Sequence, residues 1–525
     1  MRRLKGEDNS FLAWESTTQP QHTIKAVVLD PNQGHEPLTF DTVKTRFPGV
    51  VDRVEPLQWQ LLMPRVGFGR PWWISRPRID VDYHIRRMTA PAPGGDRELG
   101  EVIASLFEVG LDRDKPAWQL FYLDGLADGR IALVLKIHHA VADGMASLRL
   151  LEKIYSADPE ERLPALRRHP IPNEQRPAPW VWFPLVLRHQ LAALARFPSI
   201  VARTAKVTGT IRRRQKAGKP GYAEAFSAPA APFNDTLTPS RRFAYRLCDF
   251  ADIRRVAKGF GVTVNDVFLT ICSGALREFL DQNGHLADEA LTAVVPVSMR
   301  PADTSDQWGN QVARWNVDFA TNIADPVERL NAIAAATRTA REVQGERDAW
   351  LQHDWMEYWP LFWLYSRVLP IIGARISRRP MFSLIASNMR GPQRRLHLGG
   401  APIEKLISSG PVVFPMGLNF TGWTYEGQMT ICVLTCGDQV PDPQRITDAL
   451  PRALAALAER LPSAQVQAVD EPEGESAAKV DVTPTQSVAV GDLDDGHTRG
   501  VQCRDDGADL VLGELVAFVV RPVAQ

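Results

Sequence analysis

Lys136-Ile137-His138-His139-Ala140-Val141-Ala142-Asp143-Gly144 is the stretch on which the reading of this chain turns. Upstream of it, Ile131 to Ile137 is a continuous, β-prone apolar run. The turn Ala127-Asp128-Gly129 separates that run from a second one at Trp118 to Tyr122. Downstream, Asp143 to Tyr155 has helical spacing. The two histidines therefore fall where a buried strand ends and a helix begins, a place where rigid backbone can aim a side chain into a cleft. Neighbours at a strand end point to opposite faces, so only one of the pair can face that cleft. Acyl transfer to an alcohol needs such a group. An imidazole can take the hydroxyl proton as the oxygen attacks a thioester, then return it to the leaving thiolate. No G-x-S-x-G motif occurs, which favours direct attack without an acyl-enzyme. One histidine is then the base and the other structural. Asp143 could support the loop by pairing with a cation, and Gly144 would allow a tight backbone. A His-His pair also fits a metal site or two core histidines, but no third His or Cys stands nearby.

Composition sets the frame for this motif. With 525 residues the chain is too long for one ordinary domain. Hydrophobic residues at 44% and charged residues at 23% fit a globular protein with a substantial core. Lys plus Arg equals Asp plus Glu, at 61 each, so nothing points to nucleic acid as a partner. The five cysteines, Cys248, Cys272, Cys432, Cys436 and Cys503, form no C-x-x-C pair and no zinc pattern, and a reduced compartment is the simplest reading. No secretory signal follows Met1, and no run of about 18 apolar residues suggests a membrane span.

Along the chain, residues 23–31 and the VDYHIRR segment around His84 read as strands, and Glu98 to Leu111 as a helix. Residues 156–180 and 203–240 are rich in Pro and charge, or basic and then Ala/Pro-rich, which places a junction there. Past it, Phe250 to Phe260 and Val264 to Asn283 read as helices, and Leu291 to Val297 and Met429 to Leu434 as strands. The organisation expected is an N-terminal domain at 1–180, a linker with an amphipathic helix at 181–240, a C-terminal domain at 241–462 and a disordered tail at 463–525. Two segments, Trp180 to Val201 and Trp355 to Ile372, are rich in Trp, Phe and Leu and are followed by basic residues. Each reads either as an interfacial helix or as an ordinary amphipathic helix on the core.

The heptad from His138 to Gly144 resembles the active-site motif of the bacterial wax ester synthase/diacylglycerol acyltransferase family, part of the chloramphenicol acetyltransferase-like fold group. Other segments match that family in order. Asp8-Asn9-Ser10-Phe11 resembles its D-x-x-F opening, and His22 its following histidine. Asp112-Arg113 and Lys115-Pro116-Ala117-Trp118 resemble D-R-x-x-P-L-W, with Ala117 for Leu. Val264-Asn265-Asp266-Val267 resembles the N-D motif, and Val295 to Arg300 with Gly309-Asn310 the V-P-V-S-x-R and G-N pair. Ser387-Asn388-Met389-Arg390-Gly391-Pro392 resembles S-N-V-P-G-P, with Arg390 for Pro. Gly417-Leu418-Asn419 and Tyr425-Glu426-Gly427 fit the late G-L-N and Y-x-G positions. The resemblance spans about residues 8 to 442.

It implies an α/β (α+β) fold of two chloramphenicol acetyltransferase-like domains, each a mixed sheet flanked by helices, with a tunnel at their interface. By the same resemblance His139 is the base, His138 its support, and Asp143 and Gly144 are structural, with Arg300 as the partner of Asp143. Asn265, Asp266, Ser387 and Asn388 are candidate substrate contacts. For Asn265 and Asp266 a helix cap is the competing reading, and Pro116 and Trp118 fit a turn and a core anchor. The implied reaction transfers a long-chain acyl group from acyl-CoA, a co-substrate rather than a cofactor, to diacylglycerol. A fatty alcohol giving a wax ester is the alternative acceptor. No metal and no bound cofactor are implied. A cytoplasmic enzyme, peripherally associated with the membrane or with lipid droplets, fits such substrates. A lipid-surface binding protein with a dead site is the reading from another class.

Overall fold

Strand Ile131–His138 is buried at every residue and sits inside a sheet, as its mostly apolar run favours. The computed structural model describes residues 1–63, 70–165, 173–217, 222–299, 308–346, 350–357, 371 and 379–462. Residues 1–460 form one unit, and residues 461–525, nearly all outside the described residues, form a second.

In the first half of the chain the elements are β1 (Arg2–Arg3), α1 (Gly6–Trp14), β2 (His22–Leu29), α2 (Phe40–Val51), β3 (Trp59–Leu62), β4 (Trp72–Ser75) and α3 (Val81–His84). Then come β5 (Ile85–Thr89), α4 (Asp96–Glu108), β6 (Trp118–Asp124), β7 (Ile131–His138), α5 (Gly144–Ile154) and α6 (Pro179–Lys216). The second half begins with β8 (Arg241–Asp249), α7 (Phe250–Phe260), α8 (Val264–Gln282), β9 (Thr292–Ser298), β10 (Val312–Asp318), α9 (Pro326–Glu346) and α10 (Leu351–Met356). It ends with β11 (Leu384–Met389), β12 (His397–Leu398), β13 (Ala401–Ser409), β14 (Leu418–Tyr425), β15 (Gln428–Cys436) and α11 (Gln444–Ala458).

Two mixed six-stranded sheets carry the fold, in the orders β12-β13-β2-β7-β6-β5 and β10-β9-β11-β14-β15-β8. The first is antiparallel except where β5 runs parallel to β6. In the second, β11 runs parallel to both β9 and β14. Helices flank both sheets, and the mixed α/β class is as the sequence implied. A small third sheet, β1-β4-β3, stands beside the first. Each large sheet has its own core, one around Trp118, Leu133 and Leu150, the other around Phe268, Phe420 and Leu450. A third cluster joins α4 and β2 to Phe243 and Tyr245 of β8 and Leu434 of β15, so the halves share a packed seam.

The division by chain order is crossed at this seam. β12 and β13 lie within 241–462, yet β13 pairs with β2 of the first sheet, with Ser408 opposite Lys25. Most of the strands and helices read from the sequence begin and end within a few residues of those limits. His84 is an exception. Asp80 caps a single helical turn by accepting from the Tyr83 amide, so His84 ends that turn and the strand starts at Ile85. The stretch taken as linker holds the 38-residue helix α6, much longer than the apolar segment at its start.

Candidate active site

The chain turns out of β7 at His138, and the turn is built from the motif itself. The His138 amide donates to Ala117 O at 2.9 Å, the His139 amide to Gln21 O at 2.9 Å, and the Val141 amide to His138 O at 3.0 Å. Asp143 then caps α5. Its Oδ1 accepts from the Ala146 amide at 2.8 Å and its Oδ2 from the Gln311 amide at 2.9 Å. One carboxylate therefore starts the helix and also ties it to the loop entering β10. Arg300, expected to pair with Asp143, lies outside the described residues. Gly144 lies close to β11: a Cβ there would stand 2.5 Å from Met389 Sδ and would have to displace that side chain.

The two imidazoles have different surroundings. His138 Nδ1 accepts from the Ala140 amide at 3.1 Å, which leaves Nε2 facing Glu15 Oε1 at 3.4 Å. Glu15 is also gripped by Arg113, whose Nε donates to Oε2 at 3.1 Å. Burial opposes ionisation of Glu15, yet His138 and Arg113 outweigh it and hold the carboxyl at about 2. His138 is thus fixed on both sides.

His139 lies flat on Phe11, with ring centroids 4.0 Å apart and planes 7° from parallel. Its Nδ1 is buried and makes no hydrogen bond to another residue among those described. Burial pushes its pKa from the ordinary 6.5 to about 3; its own backbone carbonyl opposes this, and Lys25, His138 and Arg314 add repulsion. The ring is therefore neutral at pH 7.

Three segments distant in sequence converge on His139. Asn310 Nδ2 donates to His139 O at 3.0 Å and to Asp8 Oδ1 at 2.8 Å, and the Asn310 amide donates to the same oxygen at 2.7 Å. Gly309, at φ +95°, allows this approach, since a Cβ there would stand 3.0 Å from Asp8 Oδ2. Burial raises the Asp8 pKa to about 6 in spite of the Asn310 hydrogen bonds. So the D-x-x-F, His-His and G-N segments meet in one place. Beside them, Arg314 pairs with buried Glu7 and lies over the Trp14 ring at 5.4 Å. Lys25, also buried, donates to Ser408 Oγ at 2.7 Å and lies 5.0 Å from the Trp423 ring centre; burial lowers its pKa to about 7.

The remaining candidates divide. Asp266 forms a capping box with Thr263 at the start of α8, and its Oδ1 accepts from Thr337 Oγ1 at 2.6 Å. Oδ2 caps α8 by accepting from Thr263, and Oδ1 ties α8 to α9 through Thr337. Asn265 is half-buried beside it at the second position of the helix. Ser387 and Asn388 are half-buried on β11, opposite Thr421 and Gly422 of β14, and the next residue, Met389, touches the motif at Gly144. Trp118 is fully buried and donates from Nε1 to Leu57 O at 2.6 Å. His22, opposite His138 in the β2–β7 register, is 3.0 Å from Leu106 O through Nε2. Sequence reasoning passed over Glu15, Lys25 and Gln311. Glu15 lies just after the D-x-x-F segment, but nothing in the primary structure links it to a histidine 123 positions further on. Among the described residues no three His, Cys, Asp or Glu side chains cluster as a metal site would need.

Comparison with known proteins agrees with this geometry. The wax ester synthase/diacylglycerol acyltransferase catalytic domain matches residues 4–268, and the C-terminal domain of the same family matches residues 308–458. A putative diacylglycerol O-acyltransferase of Mycobacterium tuberculosis is 32% identical over 484 residues, covering 90% of this chain and 92% of the relative. A probable diacylglycerol O-acyltransferase of that species is 30% identical over 467 residues, covering 87% and 99%. Among solved structures, a wax ester synthase/diacylglycerol acyltransferase from Marinobacter aquaeolei VT8 superposes with a TM-score of 0.61 at 25% identity, covering 87% of this chain and 98% of that one. The first condensation domain of the CDA synthetase shares the fold, with a TM-score of 0.52 at 17% identity over 87% of this chain and 96% of that one.

Proposed function

The chain belongs to the wax ester synthase/diacylglycerol acyltransferase family and is an acyltransferase, and from that premise we propose that it makes triacylglycerol from acyl-CoA and diacylglycerol, with His139 as general base. The observation that carries the reading is His139 itself: a neutral, half-buried imidazole stacked on Phe11, its backbone carbonyl held by Asn310, which Asp8 holds in turn.

The chemistry follows from that placement. His139 Nε2 takes the proton of the acceptor hydroxyl as its oxygen attacks the thioester carbon. The C–S bond of the tetrahedral intermediate then breaks. The imidazolium returns the proton to the leaving thiolate, so the products are an ester and CoA. No covalent acyl-enzyme is needed. His138, held by Glu15 and the Ala140 amide, keeps the strand end in register, and Asp143 and Gly144 fix the loop behind it. Acyl-CoA is a co-substrate, and it and the acceptor approach His139 from opposite sides along the seam between the halves. Ser387 and Asn388 lie on the strand that reaches the motif through Met389, which supports a place for them beside the substrates.

Diacylglycerol is favoured as acceptor because both relatives above at 30% identity or more are named for it. Such an acceptor dwells in a lipid phase. Among the described residues no single helix is long and apolar enough to cross a membrane, so association with membrane or droplet would be peripheral. The test offers purified protein radiolabelled palmitoyl-CoA with diacylglycerol, with hexadecanol or with no acceptor. Triacylglycerol as the main product supports the proposal. Preference for hexadecanol replaces it with wax ester synthesis. No ester with either acceptor favours a lipid-binding protein with a dead site.

A further inference from the structure

Helix α6 is apolar on the side that faces away from the protein. Its inner side is packed in the ordinary way. Trp182 and Leu185 join Leu62, Trp72 and Ile74 of the small sheet, and the Trp72 ring lies 5.5 Å from Trp182 and 5.7 Å from His189. Val186 and Ile200 are buried, and Thr204 Oγ1 accepts from Trp355 Nε1 at 3.0 Å. The helix is therefore anchored along its length. On the opposite side Trp180 is 78% exposed, Phe183 61%, Leu187 41%, Leu191 57% and Leu194 64%. At about 100° per residue these five fall within an arc of roughly 80°, on the far side from Trp182, Val186 and Ile200. They make one stripe about 21 Å long at 1.5 Å per residue. Single exposed apolar residues need no explanation, but a contiguous row of five large ones marks a surface that meets something apolar.

Charge identifies what it meets. The 38 residues of α6 contain eight Lys and Arg and no Asp or Glu. Arg203 is paired with Asp354, and Arg214 with Glu342 and Glu346, on the protein side. Arg188, Lys206 and Arg213 are exposed along one edge of the outward face, and no ion pair to them is present among the described residues. A second copy of this chain seated on the stripe would bring cationic edge against cationic edge. An anionic bilayer satisfies both features, since the side chains of the stripe enter the boundary of the acyl region while the basic edge meets headgroup charge. We propose that the outward face of α6 is a docking surface for an anionic phospholipid bilayer. Its use for synthesis rests on the lipid substrate proposed above, whereas the surface itself is argued from α6 alone.

The test is flotation of the full chain with vesicles of phosphatidylcholine, with or without phosphatidylglycerol, and without substrate. The parent protein is expected to float with the anionic vesicles. A Phe183→Ser, Leu191→Ser, Leu194→Ser variant should lose roughly tenfold or more of the bound fraction. An Arg188→Gln, Lys206→Gln, Arg213→Gln variant should lose the preference for phosphatidylglycerol. All six positions are exposed, so thermal denaturation should match the parent in both variants. Ester formation from palmitoyl-CoA and a short water-soluble alcohol, followed in the same preparations, should be the same in all three. A parent that stays unbound, or variants that float equally well, would overturn the proposal. So would a parent dimer that the serine variant converts to monomer, because the stripe would then belong to a second copy. Flotation with no esterification by any of the three would leave the docking surface standing and remove the enzymatic reading instead.

Discussion

His139 and His138 are adjacent, yet one is held by charge and the other by an aromatic ring. Glu15 with Arg113 fixes His138, and Phe11 with the Asp8–Asn310 link fixes His139. The heptad was legible in sequence, and so was the need for one histidine to support the other. The clamp was not, because Glu15 and Arg113 reach the site only through folding of α1 and the loop before β6. A pH dependence follows. Burial lowers the His139 pKa to about 3, so the ring is already neutral across the range in which an ordinary histidine base, near 6.5, would be losing its proton. Asp8, raised to about 6 by burial, gains a proton as pH falls through that value, below Lys25 at about 7, and its hold on Asn310 weakens. The kcat/KM profile should therefore have an acid limb with its midpoint near pH 6, where Asp8 gains its proton. An acid limb centred at or above 6.5 would contradict a neutral His139.

At the level of elements, the site is made by helix starts. α5 begins on Asp143 and α8 on Thr263 with Asp266, and each cap carboxylate also binds a second element. The N-D motif was read as either a cap or a substrate contact. For Asp266 the hydrogen bonds support the cap, while Asn265 beside it keeps a half-exposed side chain. Asp266→Ala should then cost about 1–2 kcal/mol in stability, measured by urea denaturation, with kcat/KM per folded molecule unchanged. A normal denaturation midpoint with a raised KM would return Asp266 to the substrate site. The approach of β11 to α5 gives a second test. Gly144→Ala places a Cβ against the Met389 side chain and should destabilise by about 1–3 kcal/mol. Adding Met389→Ala should restore most of that loss, and no recovery in the double variant would mean that the contact is not the cause. The glycine was visible in the motif, but its neighbour was not, since 245 positions separate them.

For the whole molecule, some strands, such as β2, β6, β7, β9 and β15, were legible from apolar runs, while others and all of the pairings were not. A run such as Ala401–Ser409 carries no mark of which sheet it will join. Its pairing with β2 puts a strand from the second half into the first sheet and sets Ser408 on Lys25. The halves therefore share a sheet, although two family domains align along the chain. Residues 1–240 made alone would leave β2 as a bare edge, with Lys25 deprived of Ser408. That fragment should show no cooperative thermal transition, and a sharp transition matching the full chain would contradict the shared sheet. The proposed mechanism sets the His139 imidazole where an acceptor hydroxyl and a thioester would meet. The most direct measurement is ester formation from palmitoyl-CoA and diacylglycerol by the parent and by His139→Ala, both shown to be folded by their thermal transitions. The account predicts a loss of about 10²–10⁴-fold in kcat for the variant, and a variant that turns over at the parent rate would contradict it.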